Sequence, residues 1–289
     1  MTERGAAVPA TAQSRPLLEV ERLSKRFATQ EGMVHALDTV SLEVRQGEFV
    51  ALIGPSGCGK STLFNIIGGL VDEYDGAVRV NGETVTGSHR GIGMVFQEES
   101  TFPWRTTLEN VAFPLEAAGM AKAERLKRAR ALVQLVGLEG FENRYPAELS
   151  GGMRQRTALA RTLAFSPKIL LMDEPFASLD EQTRLLLGDK LLQIQAQLRQ
   201  TTLLITHSIA EAVQLSDRVL VMTYRPGRVK RIVPIDLPRP RTSEILGSEQ
   251  FGRYVAMVWA DLREEASKGL IDSEAAVAAR SGHHSRAEE

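Results

Sequence analysis

The segment Gly54-Pro-Ser-Gly-Cys-Gly-Lys-Ser61 decides the fold. It matches the pattern G-x-x-x-x-G-K-[ST], in which glycines let successive backbone N–H groups converge on phosphate oxygens at the start of a helix. A continuous apolar stretch, EFVALI at 48–53, precedes the segment, and residues 62–70 follow it with their apolar side chains on one helical face. The order of strand, glycine loop and helix predicts an α/β domain that binds a nucleotide.

The residues of this loop have separate expected roles. Lys60 is expected to neutralise the β- and γ-phosphates of ATP, and the Ser61 hydroxyl is expected to bind Mg²⁺. Cys58 occupies a variable position of the pattern, where it is either a small filler or a redox-sensitive thiol. The other predicted nucleotide-binding residues of the segment are Gly54, Pro55, Ser56, Gly57, Gly59 and Thr62.

Two adjacent carboxylates follow a second apolar stretch, at 169–172. In a parallel sheet both side chains emerge where the strand ends, which is the edge where ligands bind in open α/β folds. Asp173 is therefore predicted to lie on the Mg²⁺ side of the phosphates, and Glu174 is predicted to be the general base. The alternative interpretation is an acidic first turn of the next helix.

Three further side chains have positions that suggest nucleotide chemistry. His207 ends the strand LLITH, from which it could hydrogen-bond the γ-phosphate or the attacking water. Gln97 closes the short strand GMVFQ, and its side-chain oxygen could reach Mg²⁺ or the same water. Phe27 precedes the first core strand and either stacks on adenine or simply packs.

Composition excludes several classes of function. Lys plus Arg number 35 and Asp plus Glu 36, so the formal net charge of -1 gives no basic footprint for nucleic acid. The single cysteine excludes an internal disulfide and fits a reducing compartment. No run approaches the roughly 18 apolar residues that span a bilayer, and residues 1–16 contain no signal-peptide core. We therefore expect a cytoplasmic protein that reaches a membrane only through a partner.

The segment Leu149-Ser-Gly-Gly-Met-Arg-Gln-Arg156 resembles the LSGGQ-type signature of ABC transporter ATPase subunits, with Met153 where the signature commonly has Gln. Ser150, Gly151 and Gly152 would open a helix whose positive end can meet a γ-phosphate. Because the segment lies far along the chain from the phosphate loop, it suggests a second molecule at each nucleotide.

The resemblance covers residues 17–240 and implies the fold and the partners. It implies a P-loop (RecA-like) α/β core with an antiparallel β edge, an inserted helical subdomain and a C-terminal helical tail. It also implies a head-to-tail dimer of two copies with ATP and Mg²⁺ between them. The resemblance further implies that Phe27 is the adenine aromatic, Gln97 the Q-loop, residues 178–180 the D-loop and His207 the switch histidine.

The chain divides into three expected regions. Residues 1–16 are expected to be disordered, and residues 17–240 are expected to form the ATPase domain with a helical subdomain at about 98–165. Residues 241–289 are expected to form a helix near 248–267, packed on the core, and then a flexible tail. Two histidines in that tail, His283 and His284, are interpreted as solvated.

Stretches at 102–104, 175–184, 225–229 and 236–241 look like those of importers of nitrate, sulfonate and taurine. This implies transmembrane permease subunits, an extracytoplasmic solute-binding protein and a peripheral position on the cytoplasmic side of the cell membrane. Trp104 would dock a permease helix or fill the core. A soluble ABC ATPase without transport remains the main alternative. A small-molecule P-loop kinase would not explain the LSGG segment or His207.

Overall fold

The computed structural model describes residues 15–30, 32–97 and 100–284, with side chains described as far as Gly269. In chain order, its strands are β1 (Leu18–Thr29), β2 (Gly32–Val44), β3 (Phe49–Ile53), β4 (Asp75–Val80), β5 (Glu83–Thr84), β6 (Ile92–Val95), β7 (Ile169–Asp173), β8 (Thr201–Ile205), β9 (Arg218–Met222) and β10 (Val229–Pro234). The α-helices are α1 (Lys60–Ile67), α2 (Thr107–Ala117), α3 (Lys122–Leu135), α4 (Gly151–Leu163), α5 (Glu181–Leu198), α6 (Ile209–Leu215) and α7 (Glu249–His284). Short 3₁₀ helices span Pro146–Glu148 and Ser243–Gly247.

The strands form two sheets. An antiparallel sheet has the order β2-β1-β4-β5, and a six-stranded sheet has the order β10-β9-β3-β8-β7-β6. All neighbours in the larger sheet are parallel except β9 and β10. The sequence predicted both the antiparallel edge and the parallel core.

Strand β3 is central because both of its faces are covered. All five of its residues are buried, with Val50 and Leu52 in one apolar cluster and Ala51 and Ile53 in another. Fully burying a Val, Leu or Ile side chain contributes roughly 1.5–3 kcal/mol, so each face holds the strand strongly. The loop that follows Ile53 therefore starts from a fixed point, at the carboxyl end of a central strand.

The stretch between β6 and β7 is mostly helical, as the sequence pattern indicated. Helix α2 begins at a capping box in which the Thr106 side chain accepts the Glu109 N–H and the Glu109 side chain accepts the Thr106 N–H. These two hydrogen bonds satisfy two backbone N–H groups that the N-terminus of a helix would otherwise leave without a partner. Helix α4 is capped by Ser150, whose Oγ accepts the Met153 N–H at 3.4 Å.

The C-terminal helix packs on the outer strands of the larger sheet. Val258 is fully buried in the cluster that includes Ile53 of β3, and Tyr254 and Leu262 pack against that cluster. This confirms the packing predicted from their helical spacing. The hydroxyl of Tyr254 also accepts the backbone N–H of Asp236 at 3.0 Å.

Several element boundaries differ from the sequence-based expectation. Strand β6 ends at Val95 rather than at Gln97, and β4 and β10 were not predicted. Helix α7 continues to His284, whereas a flexible tail was predicted beyond about residue 267. Residues 1–14, the side chains of His283 and His284, and residues 285–289 lie outside the described part of the chain. No described helix is long and apolar enough to cross a bilayer.

Candidate active site

The carboxyl ends of three neighbouring strands bring the predicted chemistry to one edge of the sheet. Residue 54 follows β3, His207 follows β8 after one residue, and Asp173 ends β7. The strand order β3-β8-β7 makes these ends adjacent, with Ile205 of β8 paired to both Leu52 and Asp173. Sheet topology alone therefore unites segments that are more than a hundred residues apart.

These segments surround an open pocket of about 360 Å³. Seven of the fourteen predicted nucleotide-binding residues line it, together with Glu174 and His207. The residues lining it are Phe27, Val34, Ala36, Ser56, Gly57, Gly59, Lys60, Ser61, Thr62, Glu174, His207 and Arg225.

The loop conformation depends on glycine at two positions. Gly57 and Gly59 have φ of 73° and 95°, values that side chains rarely permit. A Cβ at Gly59 would also lie 2.8 Å from the carbonyl oxygen of Ala36. Gly59 precedes Lys60, where α1 begins without a side-chain cap. The first N–H groups of the helix are thus left for an anion.

Lys60 lies inside the loop. Its side chain is only 5% exposed, and its ammonium group donates to the carbonyl oxygens of Gly54 and Pro55 at 2.9 Å each. The Cys58 thiol is buried 3.7 Å from the same ammonium, and burial raises its pKa. Because a buried protonated thiol reacts poorly, the geometry favours Cys58 as a small filler.

Asp173 does not line the pocket, but it lies close to Ser61, which does. The Ser61 hydroxyl lies beside the Asp173 carboxylate, whose Oδ1 is buried and has no hydrogen-bond partner among the described residues. Burial raises the pKa of Asp173, and the neighbouring Ser61 hydroxyl opposes this rise. Mg²⁺ takes oxygen ligands and is held in nucleotide sites by one or two protein groups plus phosphate. An unsatisfied carboxylate oxygen beside a hydroxyl fits such an ion.

Glu174 and His207 form a close pair, with His207 Nε2 lying 2.6 Å from Glu174 Oε1. The backbone N–H of Glu174 donates to the carbonyl oxygen of Ile205 at 3.0 Å. Glu174 is not in the first turn of the next helix, because α5 begins only at Glu181. Its carboxylate lines the pocket together with Lys60. The carboxylate is thus within the space where a phosphate chain would lie.

Besides Gly54, Pro55, Cys58 and Asp173, which lie close to lining residues in the sequence, two further predicted groups do not line this pocket. Gln97 is exposed beyond the end of β6, next to two residues outside the described part of the chain. Ser150, Gly151 and Gly152 lie at the N-terminus of α4, and none of them lines the pocket. The capped N-terminus of α4 therefore lies outside the pocket that the phosphate loop of its own chain lines.

The pocket wall contains one aromatic ring. Phe27 belongs to β1, where it pairs with Val34 of β2, and its ring is partly exposed. The ammonium of Lys25 lies 4.9 Å from the centre of the ring. Adenine stacking on Phe27 stays a prediction that this position permits.

Arg225 lines the same pocket and was not assigned a role from the sequence. Its Nε donates to the carbonyl oxygen of Gly57 at 2.9 Å. Its position in the sequence could have indicated a role at this site, because Arg225 follows β9, which is parallel to β3 and adjacent to it in the sheet. Applying to β9 the strand-end rule used for β7 and β8 would have identified it.

An exposed aromatic group lies at the entrance of the helical stretch. Trp104 is 71% exposed, so it does not fill the core as one interpretation proposed. The Phe102 ring lies 5.6 Å from the Trp104 ring and 4.7 Å from the Phe113 ring, measured between centroids. The guanidinium of Arg161 lies 5.0 Å from the centre of the Phe102 ring. Phe102 is therefore fixed from several sides, while Trp104 projects.

Sequence comparison finds matches to known proteins. The family model described as ABC transporter matches residues 37–177. An uncharacterized ABC transporter ATP-binding protein of Methanocaldococcus jannaschii is 50% identical over 253 residues, which cover 88% of this chain and 94% of that protein. The nitrate import ATP-binding protein NrtD of Synechocystis is 43% identical and is aligned over 82% and 91% of the two chains. The aliphatic sulfonates import ATP-binding protein SsuB of Bacillus cereus is 41% identical over 81% and 91%.

Solved structures give matching folds. A dimeric post-hydrolysis state of an ATP-binding cassette bound to ADP and Pi aligns with a TM-score of 0.68 and 34% identity, covering 76% of this chain and 100% of that one. The protein cbiO1 of Clostridium perfringens, part of the ABC transporter complex cbiONQ, aligns with a TM-score of 0.70 and 27% identity over 84% and 96%.

Proposed function

This chain belongs to the ATP-binding proteins of ABC transporters and is an ATPase of the importer type, and from this premise we propose how it works and what it serves. Two copies would close around MgATP, and hydrolysis would drive import of a nitrate- or sulfonate-type anion through a membrane permease. The observation that carries the proposal is the pocket that joins Lys60, Glu174 and His207 while leaving Ser150 outside.

ATP would be bound by the phosphate loop and by Phe27, which line the same pocket. Backbone N–H groups at the start of α1 would hold phosphate oxygens, and Lys60 would exchange its bonds to Gly54 and Pro55 for bonds to the β- and γ-phosphates. Phe27 would stack on adenine from the other side of the pocket. This arrangement binds the phosphates more specifically than the base.

Ser61 and Asp173 would hold Mg²⁺, and the side-chain oxygen of Gln97 would approach it once the site closes. The fit rests on the buried, unpartnered Oδ1 of Asp173 beside the Ser61 hydroxyl. When bound, magnesium neutralises charge on the β- and γ-phosphate oxygens. The described residues contain no cluster of three or more His, Cys, Asp or Glu that could hold a metal without the nucleotide.

Glu174 would act as the general base for the attacking water. His207 Nε2 lies against Glu174 Oε1 and fixes the orientation of the carboxylate, which leaves Oε2 to accept the proton. His207 would also hydrogen-bond the γ-phosphate, so that one side chain aligns both the base and the group under attack. Positioning of this kind is the main contribution of a protein to phosphoryl transfer.

A second copy would complete each site. The α4 N-terminus, with Ser150, Gly151 and Gly152, would meet the γ-phosphate held by the other copy's loop. Support comes from the matched solved structure, which is a dimer bound to ADP and Pi. Since ATP would contact both copies, its binding would favour the closed dimer.

The permease would dock beside the exposed aromatic group. Trp104 is exposed beside Phe102, whose ring contacts Phe113 and Arg161. An exposed aromatic side chain on a fixed support suits the docking of an apolar permease helix. The names of NrtD and SsuB, which are nitrate and aliphatic sulfonates import proteins, support an anionic solute. An extracytoplasmic solute-binding protein would deliver this solute. The chain would then act as a peripheral subunit on the cytoplasmic side of the cell membrane.

Reconstitution in proteoliposomes tests this proposal. The chain is co-expressed with a candidate permease from its own genome and assayed for ATPase activity with nitrate or alkanesulfonates and a candidate solute-binding protein. We expect co-purification and solute-stimulated hydrolysis, and we expect Trp104→Ala to weaken co-purification while ATP binding survives. Trp259→Ala, at an exposed tryptophan on α7, is the matched control. A complex that forms normally with Trp104→Ala, or a rate that no solute changes, would contradict the proposal.

A further inference from the structure

The turn between β9 and β10 lies directly against the phosphate loop. The N–H of Gly227 donates to the carbonyl oxygen of Ala36 at 3.0 Å, and the carbonyl of Gly227 accepts the N–H of Asp38 at 3.0 Å. A Cβ at Gly227 would collide with the carbonyl oxygen of Cys58 in the loop. This turn and the phosphate loop are therefore in contact through their backbones.

Arg225 projects from this turn into the pocket. Its Nε donates to the Gly57 carbonyl oxygen, and its Nη2 lies 2.7 Å from the place where a Cβ on Gly57 would be. A guanidinium carries five N–H donors, and one is used by Gly57. Among the described residues, no carboxylate forms an ion pair with Arg225. Its charge is thus uncompensated at the surface of the pocket.

Arg225 and Lys60 are the two cationic side chains that line this pocket in the described chain. Their hydrogen bonds differ. Lys60 donates to backbone carbonyl groups inside the loop, whereas Arg225 donates to the carbonyl oxygen of Gly57 from outside the loop. A polyphosphate that entered between them would meet positive charge from both sides. Arginine is well suited to this task because its planar fork matches phosphate oxygens.

We propose that Arg225 binds the phosphate chain of the nucleotide and that the C-terminal helix α7 holds it in position through Glu265. The proposal rests on nucleotide binding at this pocket and adds a second cation to it. It also gives the C-terminal helix a defined connection to the ATPase site.

Glu265 connects α7 to the turn. Its carboxylate is 2% exposed, and its Oε2 accepts the backbone N–H of Tyr224 at 2.9 Å, one residue before Arg225. Its Oε1 accepts bonds from Lys230 at 2.9 Å and from Lys268 at 2.8 Å. The Tyr224 ring also packs on α7 at Gly269, where a Cβ would come within 3.0 Å of it. The backbone that carries Arg225 is therefore fixed by the helix.

Nucleotide affinity tests the role of Arg225. Dissociation constants for MgATP and MgGTP are measured for the whole chain and for Arg225→Gln and Arg225→Lys. Loss of a charged hydrogen bond predicts about 10-fold weaker binding of both nucleotides by Arg225→Gln, with partial recovery in Arg225→Lys. Arg228→Gln is the control, because Arg228 belongs to the same turn but pairs with Asp38 and does not line the pocket.

Two results would overturn the phosphate contact. Unchanged affinity in Arg225→Gln would do so, and so would a change in the ratio of ATP to GTP affinity, which would indicate a contact to the base. Lys60→Ala separates this inference from the proposed function. If Lys60→Ala abolishes nucleotide binding and Arg225→Gln leaves the affinity unchanged, only the inference about Arg225 fails.

A double-mutant cycle tests the positioning role of Glu265. If Glu265 acts through Arg225, Glu265→Gln weakens MgATP binding in the wild-type background and adds little in the Arg225→Gln background. A merely structural role would weaken binding equally in both backgrounds, which would contradict the connection. Unfolding midpoints of all variants, measured in parallel, show that each remains folded under the assay conditions.

Discussion

Glu174 combines a strained backbone with a fixed side chain. Its φ of 48° lies in the left-handed region, which costs on the order of 1–3 kcal/mol for a residue other than glycine. The bonds to Ile205 on the backbone side and to His207 on the side-chain side hold this conformation. The strained residue is the one to which the general-base role is assigned, which is the kind of position where such strain concentrates.

Replacing Glu174 separates binding from hydrolysis. Glu174→Gln keeps the size of the side chain but removes the proton acceptor, so we expect at least ~10²-fold slower turnover with ATP binding retained and an ATP-dependent dimer trapped. Steady-state kinetics and size-exclusion chromatography measure these effects. Glu139→Gln, at an exposed carboxylate in a turn, serves as the control. Near-normal turnover by Glu174→Gln would refute the assignment.

Local sequence was enough to predict the residues that follow strongly apolar strands. Glu174 and His207 each end such a strand, and the glycine pattern before Lys60 is continuous in sequence. Arg225 also follows a strongly apolar strand, β9, but it lies three residues beyond Met222, where that strand ends. Its partner Gly57 lies 168 residues away, so their contact depends on tertiary structure that local sequence does not show.

At the scale of elements, the same limit explains the strands that were missed. Strand β4 reads DGAVRV and β10 reads VKRIVP, so charged residues interrupt the alternation. Each forms because a neighbour supplies hydrogen-bond partners, β1 for β4 and β9 for β10. Strand pairing of this kind depends on tertiary context more than on local preference. Helix α7 was predicted near its start because its apolar spacing is regular there.

The packing of α7 depends on the charge of Glu265. Burial alone raises the pKa of this carboxyl, but the bonds from Lys268, Lys230 and the Tyr224 N–H outweigh burial and lower it to about 2. A carboxyl whose folded pKa is depressed below its ordinary 4.5 stabilises the fold above that value, and the contribution is lost as the pH falls towards 2.

Glu265→Gln should therefore lower the free energy of unfolding by about 1–3 kcal/mol at neutral pH. The difference from the wild type should shrink at about pH 3.5, because the unfolded wild type then binds a proton at this carboxyl while the folded state, with its pKa of about 2, keeps the charge. Urea unfolding at the two pH values measures both effects. Glu264→Gln is the matched control, because Glu264 bonds the same two lysines from an exposed position and its ion pairs are expected to contribute little. A difference that stays constant with pH would show that charge is not the cause.

At the scale of the whole molecule, the proposed ATPase site is divided between two copies. The phosphate loop, Glu174 and His207 line the pocket at the carboxyl ends of the parallel strands, whereas Ser150 caps α4 outside that pocket. Neither half carries all the groups assigned to hydrolysis.

Mixing two inactive variants tests this division. Lys60→Ala removes the loop cation, and Ser150→Asp keeps a good N-cap while placing a negative charge where the γ-phosphate would lie. Each variant alone should be inactive, but a mixture should recover part of the wild-type ATPase rate, because a mixed dimer has one site with both halves intact. Ser150→Asn has the same shape without the charge and should be affected less. No recovery on mixing, with dimers still forming, would place the whole site in one chain.

The position of β3 has a consequence for the synthesis of the chain. Its neighbours in the sheet are β8 and β9, both encoded far downstream of the phosphate loop. At roughly 5–20 residues per second, a ribosome needs on the order of ten seconds to translate from the loop to the end of β9. Until then the nascent chain carries the phosphate-loop sequence without the strands that shape it. We therefore expect nucleotide binding to begin only after most of the ATPase has been translated.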